Sequence, residues 1–340
     1  MNDATAADLA LDLRAEQAYR WALAVLHRPR AEFAPASADA SFRRYFRLSD
    51  GGRSWIVMDA PPEREDCRPF LAVGALLGAA GVHVPTVVAQ DLARGFLLLS
   101  DLGRQTYLDV LTPDNADALF APAIDALIAW QRASRPGVLP DYDAALLYRE
   151  LTLFPDWYLA QHLGITLSGA ALAAWQRICT TLVEAALAQP RVYVHRDYMP
   201  RNLMVSEPNP GVLDFQDAVF GPLAYDPICL FKDAFLSWPE ARVEVWLRHY
   251  HDRATTAGLP VPEWIAFRRD ADWIGLQRHL KVLGIFARIN YRDGKPKYLA
   301  DAPRFLAYCY PVLAQYPELE PLRALFDDWG LAPTAAGTRP

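Results

Sequence analysis

The sequence predicts an α+β fold in two lobes: a small antiparallel β-sheet lobe over residues 1–100 and a large helical lobe over residues 101–330. Three observations predict this fold. The length of 340 residues exceeds what a single hydrophobic core usually accommodates. Short β-branched and aromatic runs separated by turn signals occupy the first hundred residues. Beyond Asp101 the pattern changes to long amphipathic segments with helical spacing.

The elements of the first lobe are predicted from turn and helix-end signals as well as from hydrophobic periodicity. The turn signal Asp50-Gly51-Gly52 separates two strand-like runs and indicates a β-hairpin. Gly81 ends an apolar helical run. The predicted order is helix-β-β-α-β-β, with a helix at 16–26, hairpin strands at 43–48 and 54–58, a helix at 70–80, and strands at 86–90 and 95–100.

The second lobe is predicted to be mainly helical, with Ser168 as the N-cap of one helix. Short β-branched runs interrupt it and flank a group of charged residues. The predicted helices cover 114–133, 148–163, 168–188 and much of 226–326, and the short strands cover 192–195, 203–205 and 211–213. Residues 331–340 are expected to form a disordered tail.

Composition narrows the function classes. A hydrophobic fraction of 52% with 10 Trp, 15 Tyr and 15 Phe predicts a globular protein. The net charge of −6 disfavours a general surface for nucleic acid or anionic membrane. The four cysteines form no C-x-x-C pair, and no export signal or membrane span is recognised, so we expect a cytoplasmic protein. No obligate protein partner is evident.

The segment from Val192 to Val205 contains the charged residues that indicate the chemistry. His195-Arg196-Asp197 is followed by Asn202, and Asp214 follows the next short strand. Phosphoryl transfer requires a carboxylate to accept the proton of the attacking hydroxyl, and oxygen ligands for Mg²⁺. We predict Asp197 as the catalytic base, with Asn202 and Asp214 as metal ligands at adjacent strand ends. A chance tripeptide in a polar loop is the simpler alternative, and the joint match disfavours it.

These motifs resemble the aminoglycoside phosphotransferase and choline kinase superfamily, whose members are relatives of protein kinases. The resemblance extends over about residues 31–326 and implies a protein-kinase-like fold that uses ATP and Mg²⁺. The segment Gly221-Pro-Leu-Ala-Tyr-Asp226 is similar to the family's G-x-x-x-x-D, whose Asp is usually structural. We expect Asp226 to be a helix N-cap that holds the catalytic loop.

Within that superfamily, five passages resemble the anomeric amino-sugar kinases of bacterial cell-wall recycling. They span residues 39–47, 56–62, 95–103, 194–202 and 278–286. The resemblance implies phosphorylation of the anomeric hydroxyl of N-acetylmuramate, N-acetylglucosamine or both, giving a sugar 1-phosphate for peptidoglycan recycling.

The nucleotide site departs from the usual pattern. Kinases of this type carry a lysine on the second hairpin strand, but 54–59 has none, and Met58 is expected in its place. Arg43 and Arg44 are the nearest cations, with a solvated strand face as the alternative for both, and Arg44 is assigned to the phosphates. Ser37 and Ser41 are expected to bind phosphates through a glycine-poor loop, and Ser100 and Leu102 to offer backbone groups to adenine.

Substrate residues are predicted from their positions relative to the motif. Asp217 follows Asp214 by three residues and is assigned to a sugar hydroxyl, although another loop carboxylate or metal ligand fits equally. Lys232, Arg278 and His279 lie on predicted helices and are assigned to a substrate carboxylate. Solvated helical charges are the alternative for these three.

Two other functions stay open at this level. One is a kinase of another small molecule, such as an aminoglycoside, choline or homoserine. The other is a nucleotide-binding pseudokinase regulator, which the missing lysine favours and the intact Asp197, Asn202 and Asp214 disfavour. Protein phosphorylation is disfavoured because no activation-loop span follows Asp214.

Overall fold

The structure is a computed structural model that describes residues 12–37 and 43–331. The chain divides into two compact units: residues 1–110 with 202–217 form the first, and residues 111–201 with 218–340 form the second. Ser41 and the tail after Leu331 lie outside the described residues.

The first unit contains a five-stranded antiparallel sheet in the order β1-β2-β3-β5-β4. The predicted hairpin is confirmed, since β2 and β3 are joined at Gly51 and Gly52, which both have positive φ. Strand β1 was not predicted. The elements are α1 (Leu13–Leu26), β1 (Glu32–Ser37), β2 (Arg44–Asp50), β3 (Arg53–Asp59), α2 (Cys67–Ala79), β4 (Val87–Asp91), β5 (Phe96–Ser100), α3 (Tyr107–Val110), β7 (Leu203–Met204) and β8 (Gly211–Val212).

Helix α1 covers one face of this sheet. Its small residues Ala15, Ala18 and Ala22 are buried, and their size allows the helix backbone to approach the strands closely. They pack against Phe46, Leu48, Val57, Phe96 and Leu98. Because strand side chains alternate between faces, Tyr45 and Met58, which pair across β2 and β3, point to the opposite face.

The second unit is built around α9, a helix of 30 residues that is buried over most of its length from Ala271 to Ala287. At Gly284 a Cβ atom would lie 2.3 Å from the carbonyl group of Leu153, so only glycine permits this helix crossing. The elements are α4 (Ala116–Arg132), α5 (Ala144–Leu153), a π-helix (Phe154–Leu163), α6 (Gly169–Ala188), β6 (Arg191–Val194), β9 (Val219–Pro222), α7 (Tyr225–Phe231), α8 (Glu240–Thr256), α9 (Trp264–Asp293), α10 (Ala302–Gln315) and α11 (Glu320–Asp328), with 3₁₀ turns at Pro200–Asn202, Pro296–Asp301 and Pro317–Leu319.

Two local predictions in this unit need correction. The segment predicted as one helix over 148–163 begins at Ala144 and changes to π-helical winding at Phe154. Strand β9, which was not predicted, pairs with β6, the strand that precedes the predicted catalytic loop. In residues 12–37 and 43–331, no helix is both long and apolar enough to cross a membrane.

Candidate active site

The predicted metal ligands lie together in the first unit. Asn202 ends a 3₁₀ turn directly before β7, and Asp214 follows β8, its antiparallel partner. The N–H of Leu213 donates to the carbonyl of Asn202 at 2.9 Å, and Nδ2 of Asn202 lies 3.5 Å from Oδ2 of Asp214. Because side-chain oxygens of Asn and Asp are ligands that Mg²⁺ accepts, and Mg²⁺ usually keeps waters and phosphates in its remaining positions, this pair fits that ion.

Packing fixes the position of Asp214. The next residue, Phe215, is fully buried and its ring lies 4.8 Å from that of Phe70 on α2. A Cβ at Gly74 on the same helix would approach the Phe215 ring to 3.2 Å, so a small residue is needed there. Asp214 has φ 60°, a left-handed conformation that is unfavourable for a residue other than glycine. Nε2 of Gln216 donates to Oδ1 of Asp214 at 2.9 Å.

The catalytic loop in the second unit is held by Asp226. The N–H groups of His195 and Arg196 donate to its Oδ2 and Oδ1 at 2.7 and 3.0 Å. The holding role of Asp226 is therefore confirmed, but the predicted N-cap position is wrong, because Ala224 is the N-cap of α7 and Asp226 lies in its first turn. Burial raises the pKa of Asp226 to about 7, despite the two N–H donors and aided by nearby Asp197.

Arg196, the residue before Asp197, is held from the opposite side by a buried charge cluster. Its guanidinium pairs with Glu150 on α5, whose carboxylate is 3.0 Å from Nζ of Lys281 on α9. Tyr142 donates its hydroxyl to Glu150, and Nε2 of Gln277 donates to it at 3.1 Å. Burial alone would raise the pKa of Glu150, but Lys281 and Arg196 outweigh it and hold the pKa at about 2. Glu150 is therefore ionised at neutral pH.

Arg196 also has an unusual backbone conformation. Its φ is 75°, and the loop turns sharply enough for the N–H of Met199 to donate to the carbonyl of Asp197 at 2.9 Å. The hydroxyl of Tyr198 donates to the carbonyl of Ala123 at 2.7 Å. Contacts on both sides of Asp197 thus hold the backbone of this loop in place.

The residues predicted for phosphate binding are placed as follows. Ser37 ends β1, and Ser41 lies outside the described residues. Arg44 forms ion pairs with Asp12 and with the fully buried Asp59, and its Nε is 3.0 Å from Oδ2 of Asp59. Arg44 is thus engaged with two carboxylates, and its assignment to the phosphates stays a prediction.

Arg43 and Met58 lie close to Arg44 in the same part of the chain and the sheet. Nε of Arg43 is 3.8 Å from Oε2 of Glu65, which precedes α2. Met58 is fully buried and pairs with Tyr45 and Leu97 in the neighbouring strands. No lysine lies on β3.

The segment after β5 is clamped by an arginine that sequence analysis did not assign to the site. The guanidinium of Arg47 on β2 contacts both carboxylate oxygens of Asp101 at 2.6 and 3.0 Å and donates to the carbonyl of Gly103 at 2.5 Å. Leu102, between them, has no backbone hydrogen bond to any residue in the described part of the chain. The N–H of Ser100 already donates to Thr86 at 2.9 Å. The clamp thus presents the backbone of Leu102 rather than the N–H of Ser100.

Three of the predicted substrate residues lie together in the second unit. Arg278 donates to the carbonyl of Lys232 at 3.3 Å, and the His279 ring lies 5.1 Å from that of Tyr308, over which Nζ of Lys232 also lies. All three charged or polar residues are buried. Asp217 is exposed and belongs to the first unit. Burial of Lys232, Arg278 and His279 was not predicted, because no local pattern distinguishes a buried helical charge from a solvated one.

The fold and the motif residues are those of a protein-kinase-like phosphotransferase. A model of the phosphotransferase enzyme family matches residues 32–259, and the chain belongs to that family. It is 65% identical, over 298 residues, to a curated protein of Pseudomonas aeruginosa named N-acetylmuramate/N-acetylglucosamine kinase, covering 87% of this chain and 88% of that protein. A protein of the same name from Pseudomonas putida is 59% identical over 312 residues, with 92% and 91% covered.

Solved structures show the same fold at low sequence identity. A choline/ethanolamine kinase family protein from Mesorhizobium loti matches with a TM-score of 0.61 and 16% identity, covering 92% of this chain and 100% of that one. The ADP-bound aminoglycoside phosphotransferase APH(2'')-Ib matches with a TM-score of 0.59 and 16% identity, covering 88% and 98%. The predicted protein-kinase-like fold is thereby confirmed.

Proposed function

We propose that this chain is an ATP-dependent kinase that phosphorylates the anomeric hydroxyl of N-acetylmuramate and N-acetylglucosamine. The observation that carries the proposal is the 65% identity to a curated kinase of these two sugars over 87% of the chain. The HRD motif with Asn202 and Asp214 supplies the residue types that the chemistry requires.

In the proposed reaction, the anomeric oxygen forms a bond to the γ-phosphorus of ATP while the bond to the β,γ-bridging oxygen breaks. The products are the sugar 1-phosphate and ADP. Asp197 accepts the proton that leaves the hydroxyl. Asn202 and Asp214 would hold Mg²⁺, which when bound would offset the negative charge of the phosphates. An anomeric hydroxyl is more acidic than an ordinary alcohol, so one aspartate suffices as the base.

The segment after β5, residues 101–103, which we call the hinge, supports adenine binding. The backbone N–H and carbonyl of Leu102 match the donor and acceptor edge of a purine, and the Arg47 clamp holds this segment in place. The structural neighbour with bound ADP supports a nucleotide site in this fold. Ser37, Ser41 and Arg44 are retained as proposed phosphate residues, with Ser100 as a second hinge residue.

For the sugar, Asp217 is proposed to accept a hydrogen bond from a hydroxyl beside the reacting one. Lys232, Arg278 and His279 are proposed to form the side of the site that surrounds the remaining substituents. Their common location in the second unit supports a shared role.

The test measures ADP release with each sugar and the acid stability of the product. A glycosyl phosphate loses phosphate in mild acid, whereas a 6-phosphate survives. Asp197→Asn should lower kcat by at least about 100-fold with nucleotide binding retained, and Asp214→Ala should remove Mg²⁺-dependent nucleotide binding measured by calorimetry. A product stable to mild acid, or phosphorylation of the 1-deoxy sugar, contradicts anomeric transfer.

A further inference from the structure

Arg278 carries a buried positive charge without a matching carboxylate. Its side chain lies in the middle of α9 and the residue is 2% exposed. In the described part of the chain, its guanidinium makes one hydrogen bond, from Nη1 to the carbonyl of Lys232 at 3.3 Å, and no carboxylate lies within 4.0 Å of it. A guanidinium has five N–H donors, so most of its hydrogen-bonding capacity is unused. A buried charge left in this way is costly unless a ligand completes it.

The neighbouring cations differ from Arg278 in this respect. Nζ of Lys232 is 3.0 Å from the carboxylate of Glu240, and Nζ of Lys281 is 3.0 Å from that of Glu150. Burial, together with the charges of Arg278 and Lys232, lowers the pKa of His279 well below its usual value, so this imidazole is neutral at neutral pH. Arg278 is therefore the cation of this group whose charge no carboxylate of residues 12–37 and 43–331 balances by direct contact.

The guanidinium nevertheless stays protonated. Burial opposes its charge, but Cys229 and Tyr225, followed by Asp197 and Asp233, outweigh burial and raise the pKa of Arg278 above its usual value. Burial also raises the pKa of Asp233, which favours the neutral form of this neighbouring acid. A planar, permanently charged fork with free donors is suited to a carboxylate that arrives with the substrate.

The two candidate sugars differ by such a group. N-acetylmuramate carries a lactyl carboxylate on the oxygen at C3, two ring carbons from the anomeric centre, whereas N-acetylglucosamine has a hydroxyl at C3. Arg278 donates to the carbonyl of Lys232, which is the C-cap of α7. In the first turn of the same seven-residue helix, Asp226 accepts from the N–H groups of His195 and Arg196, next to the proposed base Asp197. Because Arg278 and the loop of the base contact the two ends of one short helix, a sugar whose anomeric hydroxyl meets Asp197 can extend its C3 substituent towards Arg278.

We infer that Arg278 binds the lactyl carboxylate of N-acetylmuramate and is the residue that favours this sugar over N-acetylglucosamine. This inference rests on the proposed function. Three residues were assigned to a substrate carboxylate, and we select Arg278 among them. Lys232 and His279 are then neighbours that shape the site.

The test compares kcat/KM for the two sugars in Arg278→Met. The value for N-acetylmuramate should fall by roughly 10- to 100-fold, the range for a lost charge-assisted hydrogen bond. The value for N-acetylglucosamine should fall much less, so that the ratio of the two values changes, and activity on this second sugar reports that the variant is folded. Arg269→Met is the matched control, because Arg269 is a partly exposed guanidinium on the same helix, paired with Glu318. It should leave the ratio of the two sugars unchanged.

A substrate modification tests the same contact without a change in the protein. The carboxamide of N-acetylmuramate lacks the negative charge and should lose affinity for the wild-type enzyme by a similar factor. Arg278→Lys keeps the positive charge but not the planar guanidinium. It should retain part of the preference for N-acetylmuramate over N-acetylglucosamine and should still turn over the acid faster than the carboxamide. The kcat/KM of Arg278→Met with the carboxamide should be no lower than that of either change alone, because both changes remove the same contact.

Three results would overturn the inference. The first is an equal loss of activity on both sugars in Arg278→Met and Arg278→Lys, which would assign Arg278 to the nucleotide or the catalytic loop. The second is equal turnover of the carboxamide and the acid by the wild type. The third is that kcat/KM falls from the acid to the carboxamide by the same factor in Arg278→Lys and Arg278→Met as in the wild type. Failure of the proposed function looks different, since the wild type would then phosphorylate neither sugar.

Discussion

Replacing Glu150 with glutamine should destabilise the second unit by about 3 kcal/mol, because it leaves Arg196 and Lys281 as buried charges without their shared carboxylate. The magnitude follows from the pKa of Glu150. Its value of about 2, against an ordinary 4.5, corresponds to about 3.4 kcal/mol at 1.36 kcal/mol per pH unit. Glu150 is nearly fully buried, so solvent screening reduces this figure little.

The pH dependence has a definite sign. Because the pKa of Glu150 is lower in the folded state, its stabilisation is fully present above the unfolded pKa of 4.5 and is lost as pH falls towards about 2. At pH 3.5 the carboxyl of the unfolded chain is mostly protonated while that of the folded chain is still ionised. The difference between wild type and Glu150→Gln should therefore narrow by about 1.4 kcal/mol from pH 7 to pH 3.5.

The assay is urea unfolding followed by tryptophan fluorescence at both pH values, together with steady-state kinetics at pH 7. Glu184→Gln on α6 is the control, since this glutamate is exposed, and its effect should stay within about 0.5 kcal/mol. We also expect Glu150→Gln to lower kcat more than it raises the KM for ATP, because Arg196 adjoins Asp197. A loss below about 1 kcal/mol at pH 7, or a difference that does not narrow at pH 3.5, would refute the reasoning.

Two further predictions concern the contacts that hold the site. Asp226→Asn should lower kcat, since one amide oxygen cannot replace the two carboxylate oxygens that accept from His195 and Arg196. Because the pKa of Asp226 is about 7 in the folded state, the free energy of unfolding of the wild type should fall as pH rises from about 4 to 7. Unfolding experiments should find this pH dependence reduced in Asp226→Asn. An unchanged pH dependence would show that Asp226 does not cause it. Arg47→Met should raise the KM for ATP by roughly 10-fold by releasing the Leu102 segment. If Arg47→Met changed the KM for the sugar as much as the KM for ATP, a role of Arg47 specific to the adenine-binding segment would be contradicted.

Local signals were sufficient for the hairpin and for the adjacency of Asn202 and Asp214. The Asp50-Gly51-Gly52 turn supplies two residues that tolerate positive φ, and the flanking runs alternate as strands do. The runs on either side of the 197–202 loop were expected to form one ribbon, which is wrong, because the first of them pairs with β9. The runs at 203–205 and 211–213 pair instead, and Asn202 and Asp214 lie at the adjacent ends of that ribbon. Both features depend on residues close together in the sequence.

The remaining features depend on distant partners. Strand β1 contains Pro35, which weakens a strand signal and is tolerated because β1 is an edge strand. Glu150 looks like an ordinary charge on an amphipathic helix, and its role appears only when helix α9 brings Lys281 beside it. Asp226 was placed at the wrong position of its helix because a short buried helix has no amphipathic pattern to mark its first residue. Single-sequence periodicity contains none of this information.

The left-handed backbone of Arg196 and Asp214 has a consequence for engineering. Neither is glycine, and an L-residue with φ of 75° or 60° costs roughly 1 to 2 kcal/mol relative to a relaxed conformation. A library sorted for heat resistance alone would therefore be enriched in Asp214→Gly, which relieves the strain and deletes a proposed metal ligand. Thermostable descendants of this chain should be sought only by screens that heat the protein first and count turnover afterwards.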